Sequence, residues 1–255
     1  MLMTRVMPCL LLDHGKLVKT VRFKNPNYIG DPVNAVKIYN EKEVDELIFL
    51  DISATREGRK PSFDMVREIA DECFMPLCYG GGVTTLDDIE LLLKIGVEKV
   101  AINTYAYRDP QFIKKASETF GSQCIIVSID VNQNVFVKSG TEPTGLDPVV
   151  YAKRVEAAGA GEILLTSIPR EGTMSGYDLD LVSSVSKEVK IPVIAHGGAG
   201  KVQDFVDAVK NGASACAAGS LVVYHGMNRA VLINFPSRED LKDVLAHFDT
   251  PQTKV

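Results

Sequence analysis

Two glycine-rich stretches, Tyr79-Gly80-Gly81-Gly82-Val83 and Ala195-His196-Gly197-Gly198-Ala199, lie 116 residues apart and reveal an internal duplication. The same offset places Asp31-Pro32-Val33 on Asp147-Pro148-Val149, Glu46 on Glu162, Pro76 on Pro192 and Asn103-Thr104 on Gly219-Ser220. An ungapped register that preserves glycine, proline and charged positions indicates two half-domains of the same architecture.

Short apolar runs alternate with amphipathic stretches along the chain, as expected for buried parallel strands that are covered by helices. The runs span residues 6–12, 46–52, 76–79, 99–103, 124–130, 162–167, 192–195 and 214–218. Helix signals lie between them, at residues 32–43 and 86–95 for example. Eight such units predict an α/β fold, a single (β/α)8 TIM barrel over residues 1–255, built from duplicated half-barrels at about 1–122 and 123–248. An open doubly wound sheet is the alternative, but it gives no reason for the duplication.

Composition narrows the function classes. The net charge of −5 gives no electrostatic reason to expect nucleic acid or an anionic membrane as a partner. No apolar run approaches the roughly 20 residues that span a bilayer, and the first residues lack a signal-peptide pattern. The 5 cysteines contain no CxxC pair, and the 4 histidines show no metal-ligand spacing. We therefore expect a cytoplasmic protein with buried free thiols, no metal and no cofactor.

The glycine stretches predict where ligands bind. In a (β/α)8 barrel the functional residues lie at the C-terminal ends of the strands, and both glycine turns follow strands there. Asn103-Thr104 and Gly219-Ser220 follow the neighbouring strands. Glycine lets the backbone approach a ligand closely, and free N–H groups beside a hydroxyl suit phosphate oxygens. Two such sites across one barrel mouth predict a phosphorylated small molecule with a phosphate at each end.

Motifs between about Arg5 and Ser220 match one known pattern. They include Pro8-Cys9-Leu10, Lys19, Gly30-Asp31-Pro32, Asp45-Glu46-Leu47, Phe49-Leu50-Asp51-Ile52, Gly80-Gly81-Gly82, Ile102-Asn103-Thr104, Asp130, Pro143-Thr144-Gly145 and Gly176-Tyr177-Asp178. The chain resembles the cyclase subunit of imidazole glycerol phosphate synthase, the HisF type. The resemblance implies a lyase with a bisphosphate ribotide substrate and a HisH-type glutaminase docked on the bottom face. Ammonia from that glutaminase would pass through the barrel to the top.

The resemblance also implies the site residues. The family uses two aspartates, at the ends of strands 1 and 5, as general acid and base. Asp130 matches the second, but Leu11 occupies the first position, and losing such a group typically costs about 10²–10⁴ in rate. The alternative is that Asp13, on the loop two residues later, or a water molecule substitutes for it. The substrate-binding and phosphate-binding positions match Lys19, Asp51, Gly82, Asn103, Thr104, Thr166, Gly172, Gly198, Gly219 and Ser220.

Other positions on the predicted top face depart from the family. In the sixth loop (residues 168–173), Pro169 and Glu171 replace aspartates, and His196 replaces a serine before the second glycine pair. Together with Leu11, these changes alter the substrate-facing ring on several sides. For His196 the neutral alternative is a loop histidine with its hydrogen bonds satisfied.

The bottom face keeps the family pattern. Arg5, Glu46, Lys99 and Glu162 match the four residues that form an ionic gate for ammonia, and we expect one ring of charges from alternate strands. A purely structural ring is the alternative, since charges inside a barrel are costly unless paired. Glu98 replaces an aspartate at the family's glutaminase interface.

The tail also departs from the family. Residues 225–236 form an added apolar segment that contains Arg229, ahead of a predicted amphipathic helix at 239–248. We expect this segment near the top rim, as a cover for the core or as a docking surface for a second enzyme.

These features favour a divergent HisF-type subunit that pairs with a glutaminase and conducts ammonia. Within the family, divergent copies are associated with amidation of nucleotide-activated sugars for lipopolysaccharide and other surface polysaccharides, where a separate sugar amidotransferase consumes the ammonia. One alternative is the ordinary cyclase of histidine biosynthesis with a displaced acid. Another is a non-catalytic scaffold that activates its glutaminase.

Overall fold

A closed barrel of eight parallel strands forms the centre of the computed structural model, which describes residues 4–226 and 228–242. The strands are β1 (Arg5–Asp13), β2 (Leu47–Asp51), β3 (Leu77–Gly80), β4 (Lys99–Ile102), β5 (Ile125–Asn132), β6 (Glu162–Ser167), β7 (Val193–His196) and β8 (Ala215–Ala218). Each strand pairs in parallel with the next, and β8 closes on β1 from Arg5 beside Ala215 to Pro8 beside Ala218. The predicted (β/α)8 barrel is confirmed.

Helices surround the strands. The longer ones are α1 (Pro32–Glu41), α2 (Phe63–Glu72), α3 (Leu86–Ile95), α4 (Pro110–Phe120), α5 (Pro148–Ala157), α6 (Leu179–Ser186) and α7 (Val202–Lys210), and two short helices, Thr104–Arg108 and Ser220–Val223, follow β4 and β8. The duplicated Asp-Pro pairs begin α1 and α5, because the Asp31 and Asp147 side chains accept hydrogen bonds from the first free backbone N–H groups. The predicted helix at 32–43 ends at Glu41, and the one at 239–248 falls mostly outside the described residues. None of the helices described is long and apolar enough to cross a membrane.

The barrel interior is packed with small and apolar side chains. Those that point inward below the C-terminal face form one cluster: Met7, Cys9, Ile48, Cys78, Ala101, Ile126, Leu164, Ile194, Ala215 and Ala217. Larger side chains, such as Phe49 on the outer side of β2 and Phe205 of α7, form the main core between the strands and the helices. All five cysteines are free, and Cys9, Cys78 and Cys216 are buried, whereas Cys73 and Cys124 are partly exposed.

Additional strands lie on the top face, at the C-terminal ends of the barrel strands. A hairpin of Lys16–Val21 and Lys24–Gly30 follows β1, and a smaller pair, Asn134–Val137 and Glu142–Pro143, follows β5. The prediction that Asp13 lies on a loop is wrong, because β1 continues to Asp13, which pairs with Lys16 of the hairpin. We call the first of these pairs the β1 hairpin.

The added segment near the C-terminus lies on the top rim, as predicted. Tyr224–His225 pairs with Ala230–Val231, and the Arg229 guanidinium donates to the Thr173 carbonyl of the sixth loop at 3.3 Å. Phe235 is buried, whereas Leu232 is 52% exposed. The segment therefore covers part of the core and also leaves apolar surface open. Met227, inside this segment, lies outside the described residues.

Candidate functional site

A cavity of about 330 Å³ opens at the C-terminal end of the barrel, and we call it the top pocket. Its wall contains Leu11, Asp130 and most of the predicted binding residues, namely Lys19, Asp51, Gly82, Asn103, Thr104 and Thr166. The other predicted residues, Gly172, Gly198, Gly219 and Ser220, line a much smaller adjoining space of about 10 Å³, together with Lys19, Glu171 and His196. The structure thus brings the predicted residues together, while their roles stay predictions.

Asp130 is the buried carboxylate of the top pocket. It lies on β5, and its side chain accepts hydrogen bonds from the Asn103 amide at 3.2 Å and the Ser128 hydroxyl at 3.3 Å. Burial raises the pKa of Asp130 to about 7, although Ser128 and Thr166 act in the opposite direction. A carboxyl group with such a pKa can both accept and donate a proton near neutral pH, which general acid–base catalysis requires.

Leu11 faces the top pocket as an aliphatic side chain that is 5% exposed. Asp13, the predicted alternative acid, is held at the rim, where its Oδ1 lies 2.7 Å from His14 Nδ1. The other ring nitrogen of His14 lies 2.9 Å from the Glu57 carboxylate. Asp13 is not among the residues of the pocket wall. Asp13 therefore does not reach the top pocket, whose wall contains the carboxylates of Asp51, Asp130 and Glu171.

His196 is the last residue of β7 and lies in the pocket wall, so its predicted position on a loop is wrong. Its Nδ1 lies 3.1 Å from the Thr166 hydroxyl. Burial lowers the pKa of His196 to about 4, so the imidazole is neutral at physiological pH. Among the residues that the structure describes, no group of three or more His, Cys, Asp or Glu side chains could hold a metal ion.

The first half-site consists of Gly82, Asn103 and Thr104. Gly82 has a φ of +74°, and a Cβ there would lie 2.6 Å from the Arg59 carbonyl oxygen, so only glycine fits. The Asn103 amide donates to the Ser128 carbonyl and to Asp130, and the Thr104 hydroxyl accepts from the Lys138 N–H at 2.9 Å. The two polar side chains therefore also hold β4 against β5 and its hairpin.

Asp51 has a positioning role that sequence reasoning missed. Its Oδ1 accepts hydrogen bonds from the backbone N–H groups of Ser53 and Ala54, at 3.0 and 2.9 Å, and from the Ser53 hydroxyl. The Arg59 guanidinium lies 3.6 Å from the other carboxylate oxygen. Asp51 thus fixes the loop after β2. An aspartate two residues before a serine is a signal for such a turn.

A buried pair of Lys19 and Glu171 was also missed. Lys19 belongs to the β1 hairpin and Glu171 to the sixth loop, and the Lys19 ammonium donates to the Glu171 carboxylate. Their side chains are 5% and 2% exposed. The internal repeat could not reveal the pair, since the residue 116 positions before Glu171 is Thr55.

At the opposite end of the barrel, the four predicted charges form a closed ionic ring (Arg5, Glu46, Lys99 and Glu162). The Arg5 guanidinium lies 2.6 Å from Glu46 and 3.0 Å from Glu162, and the Lys99 ammonium lies 2.9 and 3.0 Å from the same two carboxylates. The prediction of alternate strands is only partly right, because the residues lie at the starts of strands 1, 2, 4 and 6.

The ring is mostly shielded from solvent and electrically balanced. The side chain of Glu46 is 3% exposed, that of Glu162 13% and that of Lys99 17%. Burial lowers the pKa of Arg5, but Glu162 and Glu46 outweigh this effect and raise it above its usual value. Two cations and two carboxylates compensate each other, which is the condition for keeping charges inside a barrel. Glu98, beside Lys99, is exposed on the same face.

The eight parallel strands define a (β/α)8 barrel with a pocket on its C-terminal face, where the paired glycine turns and the buried Asp130 lie. A family model described as histidine biosynthesis protein matches residues 5–228, and the chain belongs to this family.

Three named relatives show which members of this family the chain is similar to. The chain is 49% identical over 243 residues to a Pseudomonas aeruginosa protein named as a putative imidazole glycerol phosphate synthase subunit hisF2, covering 92% of this chain and 97% of that protein. It is 45% identical to a putative subunit HisF of Leptospira interrogans, with 94% and 98% covered. It is 50% identical to the subunit HisF of Endomicrobium trichonymphae, with 88% of each covered. The resemblance to HisF-type cyclase subunits is confirmed.

Proposed function

We propose that this barrel is the synthase-side subunit of a glutamine amidotransferase complex. It receives ammonia from a HisH-type glutaminase at the bottom face and passes it along the barrel axis to the top pocket. The observation that carries the proposal is the ionic ring, whose four contacts of 2.6–3.0 Å close the floor of the barrel. The names of the relatives also support a partner, because they describe subunits of a synthase.

The interior above the ring suits a small neutral molecule. The side chains between the ring and the top pocket are aliphatic, thioether or thiol groups, Ile48, Met7 and Cys78 among them. Such a lining offers no charged partner to ammonium, since an unpaired charge in an apolar interior is very costly. Neutral ammonia is small enough to pass when the ring side chains move apart. The passage therefore selects the reactive form of the nitrogen.

The acceptor of the ammonia is proposed to be an amidotransferase that acts on a nucleotide-activated sugar in surface polysaccharide biosynthesis. Leu11 supports this, because a leucine lines the top pocket at the β1 position where the resemblance implies the second acid–base aspartate. A cyclase of histidine biosynthesis is the second candidate, and Asp130, with a pKa of about 7, favours it. A scaffold that only activates the glutaminase is the third.

The experiment mixes the barrel with the glutaminase from the same organism. We expect a complex at micromolar concentration and glutamine hydrolysis at least tenfold faster than that of the glutaminase alone. Lys99→Met should leave hydrolysis measurable but uncouple it from product formation in the acceptor enzyme. Lys94→Met, an exposed lysine on α3, is the matched control. The absence of a complex, or full coupling in Lys99→Met, would contradict the ammonia passage.

A second experiment separates the candidates. With the bisphosphate ribotide and ammonium as substrates, we expect turnover far below that of an ordinary HisF subunit. A rate within tenfold of that subunit identifies a histidine-pathway cyclase instead. Genes for sugar amidation beside this one would favour the polysaccharide role, and histidine genes would oppose it. If the barrel activates glutamine hydrolysis but the ammonia reaches no acceptor, the third candidate, the scaffold that only activates the glutaminase, is favoured.

A further inference from the structure

The Lys19–Glu171 pair lies at the second half-site, which consists of Gly172, Gly198, Gly219 and Ser220. Lys19 is the cation that lines the small space beside these glycines, and its ammonium already donates to the Glu171 carboxylate and to the Thr20 carbonyl at 3.0 Å. Its charge is therefore neutralised inside the protein before a ligand arrives.

The Glu171 carboxylate is bound in the way that proteins bind an anion. Besides Lys19, its Oε2 accepts from the Thr20 hydroxyl at 3.1 Å and from the Phe23 backbone N–H at 3.0 Å. The Glu171 carbonyl accepts from the Arg22 N–H at 2.9 Å, which fixes the sixth loop to the β1 hairpin. One ammonium, one hydroxyl and one backbone N–H are donors that suit a phosphate equally well.

Little space remains at the second half-site. The volume among Glu171, Lys19 and the glycine turns is about 10 Å³, which is room for about one water molecule. The glycine surfaces are also covered by the chain itself. A Cβ on Gly172 would lie 2.3 Å from the Thr20 carbonyl oxygen, and one on Gly219 would lie 2.9 Å from the Lys19 side chain.

The first half-site differs in both space and charge. Gly82, Asn103 and Thr104 face the cavity of about 330 Å³, and Arg56 and Arg108 line the same cavity. Within the described parts of the chain, Arg56 makes no ion pair, and Arg108 has only a contact of 3.8 Å with Glu142. Positive charge is therefore available to a ligand at the first half-site, whereas Lys19, the cation that lines the second, is already paired with Glu171.

We propose that Glu171 is an internal anion that fills the second half-site, so that the top pocket takes a ligand with one phosphate, bound at the first half-site. A phosphate at the second half-site would have to displace Glu171 and leave its carboxylate buried without its cation, which is strongly unfavourable. The duplicated sites are thus unequal, and a ligand with a phosphate at each end gains nothing from its second phosphate. The inference holds whether or not a glutaminase docks.

The test is titration calorimetry on the full-length protein with inorganic phosphate, ribose 5-phosphate and ribulose 1,5-bisphosphate. We expect one phosphate per chain and no tighter binding of the bisphosphate than of the monophosphate. Glu171→Gln keeps the shape of the side chain but frees the charge of Lys19. This variant should bind two phosphates and should bind the bisphosphate at least tenfold more tightly, with monophosphate affinity unchanged within threefold. Glu90→Gln, on the exposed face of α3, makes the same change in net charge and serves as the control.

Two phosphates per wild-type chain, or none at millimolar concentration, would overturn the proposal. So would a folded Glu171→Gln variant that binds like Glu90→Gln. Circular dichroism checks the fold of both variants. The stoichiometry of the wild-type protein decides the question even if Glu171→Gln fails to fold, because it alone distinguishes one accessible half-site from two.

Discussion

Replacing Lys99 with methionine should destabilise the barrel far more than an ordinary lysine substitution. Lys99→Met keeps the length of the side chain but removes both contacts of 2.9 and 3.0 Å with Glu46 and Glu162. The two carboxylates are then left with Arg5 alone. Removing one partner of a buried pair costs about 3–5 kcal/mol, and the 17% exposure of Lys99 places this case at the lower end, at about 3 kcal/mol. For a domain of this size that is a fall in melting temperature of about 6–12 °C.

Lys94→Met is a matched control from the same protein. The Lys94 ammonium lies 2.6 Å from Glu90, but these side chains are 67% and 51% exposed. Surface pairs on one helix contribute only about 0.3–0.5 kcal/mol, so the contact distance alone predicts nothing. A large difference in the free energy of unfolding between the two lysine variants, measured by urea denaturation, would therefore show that burial sets the strength of the Lys99 contacts.

The same assay contains a stricter test. Glu46→Gln removes one negative charge, and in the double variant with Lys99→Met the remaining Arg5 and Glu162 form a neutral pair. The double variant should be more stable than the sum of the two single losses predicts, by about 1–2 kcal/mol. Simple additivity, or a cost below about 1 kcal/mol for Lys99→Met, would refute the view of the ring as one compensated unit.

Three further results are expected. Leu11→Asp should raise the residual cyclisation rate by up to about 10²–10⁴ in steady-state assays, and an unchanged rate would show that another group limits the reaction. Burial raises the pKa of Asp130 from about 3.9 in the unfolded chain to about 7, so the contribution of Asp130 to the free energy of unfolding falls as pH rises between these values. Burial lowers the pKa of His196 from about 6.5 to about 4, so the contribution of His196 rises with pH over that range. Urea denaturation between pH 4 and 7 should show that Asp130→Asn removes the fall in unfolding free energy and that His196→Gln removes the rise. Plots of unfolding free energy against pH that run parallel to the wild-type plot would contradict both assignments. Phe74, 85% exposed on the bottom face, should anchor the glutaminase, so Phe74→Ala should weaken calorimetric binding about 30-fold, whereas Leu91→Ala on α3 should not.

The barrel could be predicted from sequence because its strands are buried on both faces. Continuous apolar runs result, and a turn residue bounds most of them, so β6 was predicted at its observed limits. The β1 hairpin was not predicted, because its second strand, Lys24–Gly30, is exposed over its first five residues and carries Pro26 among polar residues. Its turn places Arg22 and Phe23 at positive φ, and no glycine at these positions signals a turn in the sequence.

The residues that line the site were easier to predict than the pairs that their side chains form. Strand ends place Gly82, Asn103 and Asp130 at one face, since parallel strands in a barrel end together. Which side chains pair there depends on loops that meet only in three dimensions. Lys19 and Glu171 are 152 residues apart in the chain, so neither local pattern nor repeat could join them.

One thiol provides the barrel with an internal probe of its own motion. Cys78 is fully enclosed between the ionic ring and the top pocket, and burial raises its pKa well above its usual value. An alkylating reagent can reach it only when the barrel opens, and only a thiolate reacts. Cys73, partly exposed, reacts without such an opening and calibrates the reagent. The ratio of the two labelling rates would therefore measure how often the axis of the barrel admits a molecule of chosen size.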